Sequence, residues 1–183
     1  MVAERALTEL ERPFVYARIT QKGMERTKSV YEHRWHLNTS NFRIEFVNFG
    51  NTPAELTRLQ YEIIPRKRDI GIVDSFSPRD VGGRELPVGS VSAKDSPYGE
   101  NSDLSESQLI QGHADAIANG EESVWVTGFV RYRDIFGMNR ITGFTFLFNQ
   151  DTQWEFIGRG DNENYNYTRE EHPEDIPPPS SRG

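Results

Sequence analysis

The chain has 183 residues, with 21 basic and 28 acidic side chains, a net charge of −7 and no cysteine. That length fits one domain. The acidic balance does not suit a nucleic-acid binder, and the lack of cysteine excludes disulfide frameworks, thiolate metal sites and cysteine nucleophiles.

No run approaches the ~18 apolar residues of a membrane span, and the start lacks a signal-peptide core. Residues 1–12 place Ala3, Ala6, Leu7 and Leu10 at helical spacing until Pro13, which lacks an N–H, stops the helix. This stub has no N-cap and reads as the end of something longer, a truncated linker or membrane-proximal helix. From Phe14 the period becomes two. Val15, Ala17 and Ile19 alternate with polar residues, as do Tyr31, His33, Trp35 and Leu37, and then Phe42, Ile44 and Phe46. The cluster 48–53 is a turn in which Gly50 is expected to take a positive φ. Leu59, Tyr61 and Ile63 form the next strand, which Pro65 is expected to end.

Residues 66–103 are rich in glycine and proline and admit two short strands, near 70–76 and 86–93. Ser105 and Gln108 match a capping box that opens a helix over 105–119, and Asn119-Gly120 supplies its stop. Val124 to Asp134 is apolar on both faces, which predicts a central strand. Residues 135–139 turn the chain, 140–149 return with Phe144, Phe146 and Phe148 on one side, and a last strand covers 153–158. The tail 167–183 is acidic and proline-rich, and its composition predicts disorder.

The expected architecture is mainly β. It is an Ig-like β-sandwich of about seven to nine antiparallel strands over 13–166, with one inserted α-helix and a short N-terminal helix. Phe42, Ile44, Phe46, Leu59, Tyr61, Ile63, Val126, Val130, Phe144, Phe146 and Trp154 are its predicted core.

Chemistry-bearing patterns are sparse. His33 and His36 would point to opposite faces of a strand, which does not suit a shared metal. Glu121, Glu122, Asp134, Asp151, Asp161 and Glu163 could pair for acid–base chemistry. However, Glu121 and Glu122 follow a helix stop, Asp134 and Asp151 sit at strand ends, where acids are ordinary solvated turn formers, and nothing marks any pair as converging on a pocket. No nucleophile elbow and no phosphate loop is present, and Gly82-Gly83 alone is weak. Asp134-Ile135-Phe136-Gly137 is not the kinase tripeptide, because Ile135 intervenes. Arg159-Gly160-Asp161 and the sequons at Asn38 and Asn166 are short matches without context. Arg66-Lys67-Arg68 is a basic cluster that suits a solvated strand end, with an anionic headgroup as the alternative. The remaining constellation is Trp125, Arg131, Tyr132, Arg133 and Asp134, which could line a cleft for an anionic, nucleotide-like ligand. The competing reading pairs those arginines with acids at the sheet edge.

Four ordered segments resemble a set of uncharacterised proteobacterial membrane-anchored proteins with a C-terminal β-rich domain. They are Glu11–Tyr16, Phe46–Ala54 with its N-x-G-x-T-P-A turn, Leu104–Glu106 with the following helix, and Gly128–Gly137 with Arg140–Phe144. The resemblance implies one or two N-terminal membrane helices ahead of such a domain, and it brings no activity and no catalytic residue. This chain departs from that pattern in lacking the membrane helices.

The resulting expectation is a non-catalytic interaction or sensing domain of a bacterial membrane-anchored protein. It would have a protein partner, no cofactor, no metal and no nucleic acid. Membrane contact would come only through a missing N-terminal segment at the inner membrane, with the cytoplasmic side favoured. The alternative is a small-ligand receptor or hydrolase built on the Arg/Asp/aromatic cleft.

Overall fold

The computed structural model describes residues 12–19, 25–29, 35–38, 43–68, 89–91, 98–101, 112–148, 156–158 and 168–172. The molecule is mainly β and its pairings are antiparallel. β1 (Val15–Ile19), β4 (Arg43–Asn48) and β7 (Tyr98–Asn101) form a three-stranded sheet in the order β1-β4-β7. A larger sheet has the order β10-β9-β8-β5-β6, from β5 (Ala54–Lys67), β6 (Gly89–Val91), β8 (Glu122–Asp134), β9 (Asn139–Phe148) and β10 (Phe156–Gly158). β11 (Thr168–Glu170) also pairs with β9, and β2 (Glu25–Lys28) pairs with β3 (Trp35–Asn38) as a separate ribbon. Eleven strands thus lie among the described residues, against the seven to nine expected, and many have only three or four residues.

One core joins the two sheets. Val15, Ala17, Ile44 and Phe46 from the smaller meet Leu59, Val126, Val130, Phe144 and Phe146 from the larger. The Phe46 and Phe144 rings stand edge to face with centroids 6.1 Å apart. Full burial of side chains of this size contributes roughly 1.5–3 kcal/mol each. Tyr61 and Ile63 pack against this core half-buried, while Phe42 and Trp154 lie outside the described residues.

β8 is central, as its two apolar faces predicted, with β5 on one side and β9 on the other. Its second face, carrying Trp125, Thr127, Phe129 and Arg131, is buried as well. The hydroxyls of Thr127 and cross-strand Thr145, 3.0 Å apart, satisfy each other there.

α1 (Ala114–Ala118) falls in the C-terminal part of the expected helix, while the capping-box residues lie outside the described ones. Ala114, Ile117 and Ala118 are its buried face. Its end follows the sequence signal closely. Gly120 has φ 77°, its N–H donates to Ile117 O, and the Glu121 N–H donates to Ala116 O. This is the Schellman arrangement that a glycine after the C-cap permits. The Asp115 carboxylate accepts the Trp35 N–H at 2.9 Å and ties β3 to the helix.

Three expectations are corrected. Gly50 does not take a positive φ, since Gly120 and Gly137 are the only described glycines that do. Pro65 does not end its strand, because β5 runs to Lys67 with Pro65 opposite Val124. β6 covers only Ala54–Leu56 of β5, so among the described residues no second strand flanks Pro65, and a missing N–H is tolerated there. The tail is not wholly unstructured: Thr168–Glu170 pair with Arg140–Thr142, past the expected domain end at 166. Composition missed this because backbone pairing and charge hold the segment, without any apolar side chain.

Candidate functional site

The β4–β5 turn and the β8–β9 hairpin lie at one end of the molecule, since Ala54, the first residue of β5, pairs with Asp134, the last of β8. The start of β1 joins them. Asn48 is buried, and its side-chain oxygen accepts from Phe14 N at 3.0 Å and Gly50 N at 2.9 Å. The Asn48 amide donates to Thr52 O at 2.7 Å, and Phe49 N donates to Phe14 O at 2.9 Å. A Cβ on Gly50 would stand 2.2 Å from Arg12 O and 2.5 Å from the Pro13 Cα. The glycine is needed because another backbone passes against it.

The hairpin is a three-residue loop. Gly137 N donates to Asp134 O and Asp134 N to Met138 O, with Gly137 at φ 80°, the type I turn and glycine bulge of such loops. Asp134 Oδ1 braces it by accepting from Phe136 N and Met138 N, both at 2.9 Å. The carboxylate's other oxygen lies 3.6 Å from Arg140 Nε. That is an ion-pair distance, too long for a hydrogen bond. Arg140 and Arg12 both approach Glu170, at 3.9 Å and 3.7 Å, and the Thr142 hydroxyl donates to Val15 O at 2.9 Å.

The five cleft candidates are split by the strand period. Trp125, Arg131 and Arg133 share one face of β8, whereas Tyr132 and Asp134 share the core face with Val130. Arg131 is buried, lies over the Phe129 ring at 4.7 Å and pairs with Glu171 at 2.5 Å. Arg133 is exposed and reaches Asn139 Oδ1 at 3.5 Å. Burial pushes the Tyr132 phenol above its ordinary value of 10, and the nearby Thr142 hydroxyl and Arg140 guanidinium offset only part of that rise. Glu122 meets His113 Nδ1 at 2.6 Å. Arg66 to Lys67 run opposite Ser123 to Glu122 at the far end of the sheet. Asp151, Asp161, Glu163, His33, Gly82, Gly83 and Arg159 lie outside the described residues.

What the sequence reading missed is the outer surface of this end. Phe14, Tyr16, Phe49, Ile135, Phe136 and Met138 are the exposed large apolar side chains among the described residues: the first three sit where β1 and β4 meet the turn, the last three in the hairpin. Tyr16 and Phe49 stack edge to face at 6.1 Å. The available signal was a run of apolar residues in a hairpin loop, where polar ones are usual. No protein-family model, curated protein or solved structure matches the chain.

Proposed function

We propose that the chain is a non-catalytic interaction domain, an Ig-like β-sandwich that engages a protein partner through the end bearing the 48–54 turn and the 134–138 hairpin. The observation that carries this reading is the gathering of six exposed apolar side chains at one end, Phe49 being 62% and Ile135 57% exposed. Exposed apolar side chains of this size, grouped at a turn and a hairpin tip, mark contact sites. The hairpin is also pre-organised, because Asp134 and Gly137 fix the backbone that presents Ile135 and Phe136. Binding through a rigid tip loses little conformational entropy.

The receptor reading is less well supported. Its arginine and acid candidates point to opposite faces, and Arg131 is already balanced by Glu171, as Asp134 is by Arg140. The membrane-anchored context, at the inner membrane on its cytoplasmic side, follows from the family resemblance alone. Among the described residues no helix is long and apolar enough to cross a membrane.

The test places a photo-crosslinking residue at Phe136 in the full chain, inside the host cell. A discrete protein adduct is expected, and it should vanish when Ile135 and Met138 are both changed to Ser. Nucleotides and small anions should leave the melting temperature within about 1 °C, because a ligand that binds the folded state at high occupancy raises it. A rise of several degrees that disappears in Arg131→Gln would establish the receptor reading instead.

A further inference from the structure

We propose that the edge of β9 from Asn139 to Thr142 is a strand-addition site for an extended acidic peptide of a partner protein, and that β11 is an exchangeable occupant of it. The inference goes beyond the proposed function, whose test concerns Ile135, Phe136 and Met138 and leaves β11 untouched.

The site is better built than the segment that fills it. With β11 in place, Arg131 and Arg140 flank this edge with side chains only 7% and 11% exposed, and Phe129 supports the Arg131 guanidinium. The occupant, Thr168-Arg169-Glu170-Glu171, has no apolar side chain. Its hold includes three register pairs with β9, the Glu171 N–H on Asn139 O at 3.0 Å and the paired hydroxyls of Thr168 and Thr142 at 2.9 Å. To these are added the pairs of Glu170 with Arg12 and Arg140 and of Glu171 with Arg131. A strand that buries no apolar side chain of its own is held by backbone bonds and ion pairs, which another strand of the same chemistry can replace.

Specificity follows from the pleat. Glu170 is opposite Arg140 and lies on the core face, while Arg169 is opposite Ile141, which shares its row with Arg131. Successive residues alternate, so Glu171 returns to the Arg131 face. The edge therefore reads an acid at each of two consecutive positions, one per face of the sheet. Glu171 and Arg131 form a buried pair, and removing its acid is costly. The site then empties by exchange, and an incoming acidic strand meets the same guanidinium charges and the same backbone edge. The tethered segment competes at high local concentration, which lowers the apparent affinity for any incoming peptide.

The test uses a labelled peptide with the sequence of residues 166–173 and a version with Gln at both acidic positions. The full chain should bind the acidic peptide weakly. The full-length Glu170→Gln, Glu171→Gln variant should bind it at least about tenfold more tightly, because its own segment competes less. Adding Arg131→Gln should remove that gain. In the double variant the acidic peptide should also raise the melting temperature, and the Gln peptide should not. If the double variant does not fold, Glu171→Gln alone is read the same way. Equal affinity of variant and parent for the acidic peptide, or equal binding of the two peptides, would overturn the proposal.

Discussion

The β4–β5 turn and the β8–β9 hairpin sit at the same end, and each carries a glycine, yet the two glycines do opposite things. Gly137 has a positive φ and open space where its Cβ would be. Gly50 has an ordinary φ and no space at all, with Arg12, Pro13 and Phe14 packed against it. The hairpin is a local device, held by the Asp134 carboxylate bonding to backbone two and four residues away. The β4–β5 turn is a long-range clasp, in which Asn48 binds Phe14 across 34 positions of sequence. One glycine shapes its own chain, and the other admits a neighbour.

Substitutions break this contrast in a defined order. Gly50→Ala should be the most damaging, at about 3 kcal/mol, because a single methyl meets fixed backbone and not a movable side chain. Urea denaturation measures it, and a wild-type midpoint would show that the close approach is wrong. Asn48→Ala should cost about 2 kcal/mol, since the N–H groups of Phe14 and Gly50 lose their acceptor. Asn48→Asp should cost at least as much, because it keeps the acceptor but buries a charge and sets a carboxylate oxygen against Thr52 O where the amide donated. Gly137→Ala should cost only about 1 kcal/mol, the price of a left-handed backbone conformation for an alanine, and Gly137→Asn less.

The smallest effect at neutral pH belongs to Tyr132→Phe, and pH amplifies it. The folded phenol titrates above its ordinary value of 10. As pH rises past 10 the unfolded chain therefore loses this proton first, and stability falls. Melting curves collected above pH 10 should fall less steeply for Tyr132→Phe than for the parent.

Much of the framework was legible because period-two alternation reports burial directly. Ile44, Phe46, Val126, Val130 and Phe144 are all in the core, and the Asn119-Gly120 stop is present in full. The reading failed where a residue's role depends on what lies across from it. Pro65 looked like a breaker because sequence does not show that β6 pairs only with the first residues of β5. Glu170 and Glu171 looked like solvated tail charges because their partners, Arg12, Arg131 and Arg140, are remote in sequence. The alternation within β8 did announce that Tyr132 and Asp134 oppose Arg131 and Arg133. Grouping all five in one cleft set that period aside.

The pairing of β8 with both β5 and β9 has a kinetic consequence. β8 and β9 are joined by the short loop at 135–137, so their ladder can close early as a local hairpin, on the microsecond scale typical of hairpins. β5 meets β8 from Ala54 opposite Asp134 to Lys67 opposite Glu122, with the whole of 68–121 between them in the chain. That closure carries a loop entropy the hairpin avoids, and proteins dominated by such distant pairs fold slowly. The β8–β9 hairpin thus becomes the template on which β5 condenses, and until then its second edge stands open to other chains. Truncating Val130 should slow refolding, whereas truncating Val15, which packs from the other sheet, should mainly speed unfolding. Stopped-flow refolding and unfolding rates of the two variants would show whether that order holds.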